Sequence, residues 1–225
     1  MNILVLFDID GVLLGHGGVE ACWDKVSRKV WGVPFKMQKK VRAGKTEPQC
    51  FLGSLEKFGI SEEEGRKGLP KAMKLLAEEF KEHCRANPLP GAKKLLIKLK
   101  ELGVPYGVLT GNSKARAKVK LEKAGLGGFL KFGGYGDDSE TKEEMMQHAL
   151  LDIERALGKR FLYRNVVVIG DAPLDVKAGK HWGARTIAVA TGLTSTKELK
   201  ETRPDYFFED LKDTEKVIKA IMGNI

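Results

Sequence analysis

The chain has 225 residues, 42% hydrophobic and 31% charged, with a formal net charge of +9. That much apolar material excludes a disordered chain, and the composition excludes collagen-like and disulfide-dense classes. The longest apolar run, residues 3–7, falls far short of the roughly 18 residues that a membrane span needs. Asp8 and Asp10 interrupt it and no Lys or Arg precedes it, so it does not read as a secretory leader. Cys22, Cys50 and Cys84 form no C-x-x-C pair and read as reduced, buried thiols. The expectation is a soluble cytoplasmic protein.

In chain order, residues 2–7 are apolar throughout and end at an acid, as a buried strand of a parallel sheet does. Residues 15–90 then read as wholly helical, with helices at 19–30, 47–58 and 61–85. Ser61 with Glu64 matches a capping box at the start of the last. So long a connection is an inserted subdomain rather than a loop, and Pro88-x-Pro90-Gly91 marks the return to the main domain.

A helix at 92–102 carries Leu95, Leu96, Leu99 and Leu102 on one face and stops at Gly103. The strand 104–109 ends in Thr110-Gly111-Asn112. Ser113 can cap a helix running to Ala124, with Gly125 past its end. A helix at 143–157 leads to a strand at 165–169 that ends in Gly170-Asp171, then a helix at 174–182. The strand 186–190 ends in Thr191-Gly192, and a short strand at 205–208 and a helix at 213–221 close the chain. This alternation predicts an α/β fold with a three-layer, Rossmann-like parallel sheet made from residues 1–14 and 91–225. The all-helical subdomain, residues 15–90, is inserted into it.

In such a sheet, ligands bind at the carboxyl ends of the strands. Asp8 and Asp10, Thr110, and Asp171 and Asp175 all follow strands, so residues far apart in sequence should converge. Asp8 and Asp10 lie two apart and point the same way from extended backbone. Paired carboxylates repel unless a cation or a shared proton is present. Three or four carboxylate oxygens suit a hard cation such as Mg²⁺.

Asp8-Ile9-Asp10-Gly11-Val12, Thr110-Gly111-Asn112 and Gly170-Asp171-Ala172-Pro173-Leu174-Asp175 together resemble the first, second and fourth motifs of the haloacid dehalogenase superfamily. The likeness is to its phosphatase-like, phosphoglycolate phosphatase-like members with a helical cap after the first strand, and it covers essentially the whole chain. The resemblance implies Mg²⁺-dependent hydrolysis of a small phosphate monoester. Asp8 would be the nucleophile that becomes an aspartyl-phosphate, and Asp10 would protonate the leaving group and then help activate water. Mg²⁺ would be held by Asp8, the Asp10 carbonyl, Asp171 and, directly or through water, Asp175. Thr110 and the turn of Gly111 and Asn112 would hold phosphoryl oxygens. The third-motif cation is expected at Lys142, with Lys131, Lys159 and Arg164 as competitors. Asp10 favours phosphoryl transfer, since halide displacement does not need an acid there.

The basic surplus includes one dense stretch, Lys36, Lys39, Lys40, Arg42 and Lys45, with no acid among them. Gly44-Lys45-Thr46 is not a phosphate-binding P-loop, because Lys39 stands where that motif needs glycine. It is expected to be a cap loop that closes over the substrate, with Arg42 or Lys45 meeting its anionic end. Gly15, Gly17 and Gly18 fit a hinge, and His16 between them reads as a hinge-surface residue. His83, His148 and His181 have no spacing that makes a metal site. Alternatives are a phosphomutase using the same carboxylates and a retired, basic nucleic-acid-binding module. Intact motifs and a basic stretch without interleaved aromatics argue against the latter. A receiver domain would be about half this length. The motifs leave phosphoglycolate, a sugar phosphate or a nucleotide open as substrate, and nothing in them speaks to oligomeric state.

Overall fold

A computed structural model describes residues 2–16, 20–83, 85–137 and 139–223. Six parallel strands form one sheet: β1 (Leu4–Phe7), β2 (Tyr106–Leu109), β3 (Gly133–Gly134), β4 (Val166–Gly170), β5 (Arg185–Val189) and β6 (Tyr206–Phe208), in the order β3-β2-β1-β4-β5-β6. The chain builds outward from β1 through β2 to β3, then crosses back so that β4 lies on the other side of β1. That reversal opens a crevice at the carboxyl ends of the strands beside β1.

The sheet is buried on both faces because both alternating sets of its strand residues are apolar. Val5, Phe7, Val108, Val167 and Ile169 pack in one cluster with Leu95 and Leu99 of α5 (Ala92–Glu101), Ala117 of α6 (Lys114–Lys123) and Val217 of α10 (Thr214–Met222). Leu4, Leu6, Leu109, Val166 and Val168 pack on the other side with Met145, Met146 and Ile153 of α7 (Lys142–Leu157). The expected three layers are present. The remaining core helices are α8 (Pro173–His181) and α9 (Thr196–Glu201).

Between β1 and α5 the described residues form helices: α1 (Glu20–Trp31), α2 (Lys39–Arg42), α3 (Glu47–Leu55) with a 3₁₀ turn at Glu56–Phe58, and α4 (Glu62–His83). Trp23, Trp31, Phe35 and Phe51 cluster at their centre, with Trp23 and Phe51 rings 4.7 Å apart. Trp23, Phe51 and Leu76 belong to the same continuous core cluster as the sheet residues above. The two ends of this helical segment are tied together. Gly15 N donates to Asn87 O (3.2 Å) and Leu89 N to Leu13 O (2.9 Å).

Several details differ from the sequence reading. β3 consists of two glycines and carries no apolar signature. The turns α2 and α9 are also additional. Ser61 Oγ does accept from Glu64 N (3.3 Å). Ser113 precedes α6, but its side chain makes no capping bond. Cys22 and Cys50 are buried, and burial pushes the Cys50 thiol up to about 12. Cys84, Gly17 and Gly18 lie outside the described residues. No helix among the described residues is long and apolar enough to cross a membrane.

Candidate active site

The register of the sheet brings the motif residues together. Phe7 pairs with Val108 on one side and with Ile169 on the other. The next residues, Asp8, Leu109 and Gly170, are therefore level with one another, and Asp8 N still donates to Ile169 O (2.9 Å). Gly11 then turns the chain at φ 81°, a conformation that favours glycine. A Cβ on Gly11 would overlap the Asp171 carboxylate. Thr191 Oγ1 donates to Gly11 O (2.5 Å), pinning this turn to the loop after β5.

Asp8, Asp171 and Asp175 are buried, and one ligand atom from each lies within 4.8 Å of the others. Among the described residues this is the group of His, Cys, Asp or Glu side chains able to share an ion. Asp175 sits in the first turn of α8 and its Oδ2 accepts from Ala172 N (3.0 Å). Lys142 joins them from the opposite side. Its Nζ donates to Asp8 Oδ2 (2.8 Å) and contacts Asp175 Oδ1. Thr141 fixes this position, since its Oγ1 caps α7 by accepting from Glu144 N (3.2 Å). A lysine at the start of a helix opposes the helix dipole; Glu143 and Glu144 in the same turn offset it. Lys131, Lys159 and Arg164 are exposed instead.

The electrostatics follow from this crowding. Burial pushes the Asp175 carboxyl up to about 7, outweighing the pull of Lys142, with Asp8 and Asp171 adding to the rise. Burial likewise raises Asp171, with the charge of Asp8 adding to it and His16 opposing it. Burial also works against the charge of Lys142, but Asp175 and Asp8 outweigh it and hold its ammonium well above the ordinary lysine range. The Lys142 ammonium thus bonds two of the three buried carboxylates, Asp8 and Asp175. This donor set fits a hard divalent cation, which would relieve the repulsion that remains.

Asp10 does not turn its carboxylate toward that cluster. Its Oδ2 accepts from Asn112 Nδ2 (2.9 Å) and contacts Lys120 Nζ. Asn112 Nδ2 also donates to Thr110 Oγ1 (2.8 Å), and Thr110 is fully buried. Burial would raise the Asp10 carboxyl, but Lys120 and then Arg116 outweigh it and hold it far below the usual carboxylate range. Any part of Asp10 in holding a metal therefore falls to its backbone carbonyl.

The segment after Arg42 closes over these residues. A cavity of about 100 Å³ lies between Asp8, Asp10, Thr110 and Asp171 on one side and Arg42 and Lys45 on the other. The Arg42 guanidinium lies over the rings of Trp23 (5.4 Å) and Phe35 (5.7 Å). Thr46 and Gln49 form a reciprocal capping box at α3, with Gln49 N to Thr46 Oγ1 at 3.2 Å and Thr46 N to Gln49 Oε1 at 3.0 Å. That cap aims Glu47 at the start of α6. The Glu47 carboxylate accepts from Ser113 N (3.0 Å) and from Arg116 Nη1 (2.5 Å), a buried pair at the favourable end of the helix dipole. It engages the amide of the N-cap residue itself, while the next amide, Lys114 N, donates to Asp137 Oδ1 (2.9 Å). Glu47 N donates to Gly111 O (2.8 Å), and a Cβ on Gly111 would overlap the Lys45 carbonyl. Gly111→Ala is therefore expected to lift this loop, raising amide hydrogen exchange at residues 45–47 roughly tenfold or more while the sheet stays protected. Unchanged exchange would refute the seating.

His16 is not the hinge-surface residue expected. Its Nε2 lies 3.8 Å from Asp171 Oδ2, and its ring lines the cavity. Burial opposes its charge, but Asp171 and Asp10 outweigh that and raise it. Glu47, Arg116 and Lys120 were also absent from the sequence reading. The available signal was on α6, where Arg116 and Lys120 fall on the same helical face as Ala117 and Leu121.

Residues 4–183 match the family model of haloacid dehalogenase-like hydrolases. The chain belongs to this family. Among similar haloacid dehalogenase-like proteins is the phosphoglycolate phosphatase of Agrobacterium fabrum, 29% identical over 141 residues, covering 60% of this chain and 59% of the relative. The pyrophosphatase PpaX of Bacillus velezensis is 28% identical over 118 residues, 52% of this chain and 53% of its own. The chain thus spans little more than half the length of these two relatives. The crystal structure of the Clostridium difficile β-phosphoglucomutase superposes with a TM-score of 0.73 at 17% identity, covering 99% of this chain and 98% of that one. That likeness is one of fold.

Proposed function

We propose that this haloacid dehalogenase-like hydrolase is a Mg²⁺-dependent phosphatase that cleaves small phosphate monoesters through an aspartyl-phosphate on Asp8. The observation that carries the reading is the division of labour between two neighbouring carboxylates. Asp8 lies against Lys142 in the acidic cluster, while Asp10 is held apart by Asn112 and Lys120 at the same cavity. One is set up to attack and the other to move a proton.

In the first step Asp10, ionised in the resting site, takes up the proton that the ester brings as its monoanion; an Asp8 oxygen bonds to phosphorus, the ester P–O bond breaks, and the departing alkoxide takes that proton from Asp10. In the second, Asp10 takes a proton from water as its oxygen attacks phosphorus, releasing inorganic phosphate and restoring Asp8. Lys142 counters the charge of Asp8, and Thr110 with the Gly111 and Asn112 turn orients phosphoryl oxygens. Asp8, Asp171, Asp175 and the Asp10 carbonyl would hold Mg²⁺, whose positive charge, when bound, screens a carboxylate from a phosphoryl dianion. Residues 15–90 act as the cap, with Arg42 or Lys45 toward the anionic end of the substrate. The lining of the cavity, with Arg42 and Lys45 beside Asp8 and Asp10, supports an anionic ester. The names of the phosphoglycolate phosphatase and pyrophosphatase relatives support phosphate chemistry.

The test is hydrolysis of 4-nitrophenyl phosphate and a panel of metabolite phosphates, with Mg²⁺ and with EDTA. Phosphate release that requires Mg²⁺ is the expected result. Silence across the panel with Mg²⁺ present would reject the reading, and turnover that needs a bisphosphate activator would replace it with a phosphomutase.

A further inference from the structure

We propose that Lys120 is a positioning residue that holds the Asp10 carboxylate in the orientation needed to take up a proton and hand it to a poor leaving group; this rests on the phosphatase reading above. Lys120 lies on α6, outside the motif residues, and is 3% exposed. Its ammonium is clamped from three sides. It contacts Asp10 Oδ2, donates to Asn112 Oδ1 (2.7 Å), and lies 5.4 Å from the centre of the Phe80 ring of α4. Asn112 donates its own amide to the same Asp10 oxygen.

Both donors therefore converge on Oδ2. Among the described residues no hydrogen bond reaches Oδ1, and the Asp10 side chain is 25% exposed where it borders the cavity. A carboxylate gripped through one oxygen cannot rotate about its last bond, and its other oxygen keeps a fixed direction. Proton transfer to a departing alkoxide needs that fixed direction, because the donor must stand within hydrogen-bond reach of the leaving oxygen. The chemical cost of the arrangement points the same way. A buried ammonium is expensive even when paired, and an apolar side chain of similar volume would pack this face of α6 at least as well.

The expectation separates leaving groups. An alkyl phosphate needs its departing oxygen protonated; a 4-nitrophenyl phosphate needs this far less, because nitrophenolate is a stable anion. The experiment measures kcat/KM for both esters, with Mg²⁺, in the parent, K120M, D10N and the double variant. K120M is expected to lose about 100-fold on the alkyl ester but no more than about fivefold on the aryl ester, and to add little further loss to D10N. Equal losses on the two esters, or losses that simply add to those of D10N, would overturn the positioning role while leaving the phosphatase standing. A parent inactive on both esters would overturn the phosphatase reading and this proposal together. K120A also removes the donor, without added bulk, and reads the same ratio if K120M does not fold. An unchanged ratio in K120A would then count against the proposal.

Discussion

Asp8→Asn is expected to abolish turnover of phosphate esters, by at least about 10⁴-fold, as loss of a covalent nucleophile does. An amide has no anionic oxygen to bond to phosphorus, while its shape is nearly that of the acid. The substitution also has a second, opposite expectation. Asp8 is one of three carboxylates sharing a buried cluster with one lysine. Removing its charge relieves repulsion on Asp171 and Asp175, both of which that charge helps to raise. The variant should therefore be at least as stable as the parent in EDTA and gain less from added Mg²⁺. Phosphate release by a quantitative colorimetric assay, with urea unfolding under both conditions, checks both halves. Retained turnover would remove Asp8 from the nucleophile role. A large loss of stability in EDTA would contradict the electrostatic account of the cluster.

Lys142→Met should cost both activity and stability. Lys142 reaches Asp8 and Asp175 from a side chain that is 2% exposed. Taking one partner from a buried pair leaves the other uncompensated and typically costs about 3–5 kcal/mol. The loss should be largest without metal. A bound divalent cation supplies some of the missing positive charge, and stabilisation grows with the logarithm of ligand concentration over Kd. The rise in unfolding midpoint on adding Mg²⁺ is therefore expected to be larger in Lys142→Met than in the parent, although turnover stays low in both conditions. Lys142→Arg should not restore activity, because a planar guanidinium does not replace a compact ammonium in so closed a place. Equal midpoints for parent and Lys142→Met in EDTA would remove the lysine from its structural role.

How much of this was legible in the sequence depends on what each residue type announces. β1, β2, β4 and β5 are short apolar tracts, and each strand with a motif at its end stood out because an acid or a Thr-Gly pair stops the tract. Neither Gly133 nor Gly134 has a side chain to announce a strand; their pairing with Val108 and Leu109 is a property of the sheet. Asp8, Asp10, Asp171 and Asp175 were visible because so many acids at strand ends need a common reason. Lys142 was found by its place relative to the motifs, and it is buried against Asp8. The second ring of charges was not visible. Lys120 stands in a helix with Lys114, Lys118 and Lys123, which reads as a solvated surface. Glu47 reads as an ordinary first-turn acid. The clue that Lys120 shares a helical face with Ala117 and Leu121 is outweighed in such patterning, which assigns charged residues to the outside by default. His16 was misread for the same reason, since flanking glycines describe the backbone and not where the imidazole points.

The tie between residues 13–15 and 87–89 has a consequence for how this protein can change over evolutionary time. Because the backbone closes there with its own hydrogen bonds, the sheet sees the intervening stretch of about 70 residues as the loop of a hairpin, and closure entropy grows only slowly with loop length. Insertions or deletions in that stretch leave the register of β1 against β2 and β4 untouched so long as the faces that cover α6, with Glu47 and Phe80, are kept. The residues that would perform the chemistry sit on the invariant side of this junction, and most of those that would select the substrate sit on the replaceable side. A lineage carrying this scaffold can therefore acquire new substrates by trading one closed loop for another, without rebuilding the reaction centre.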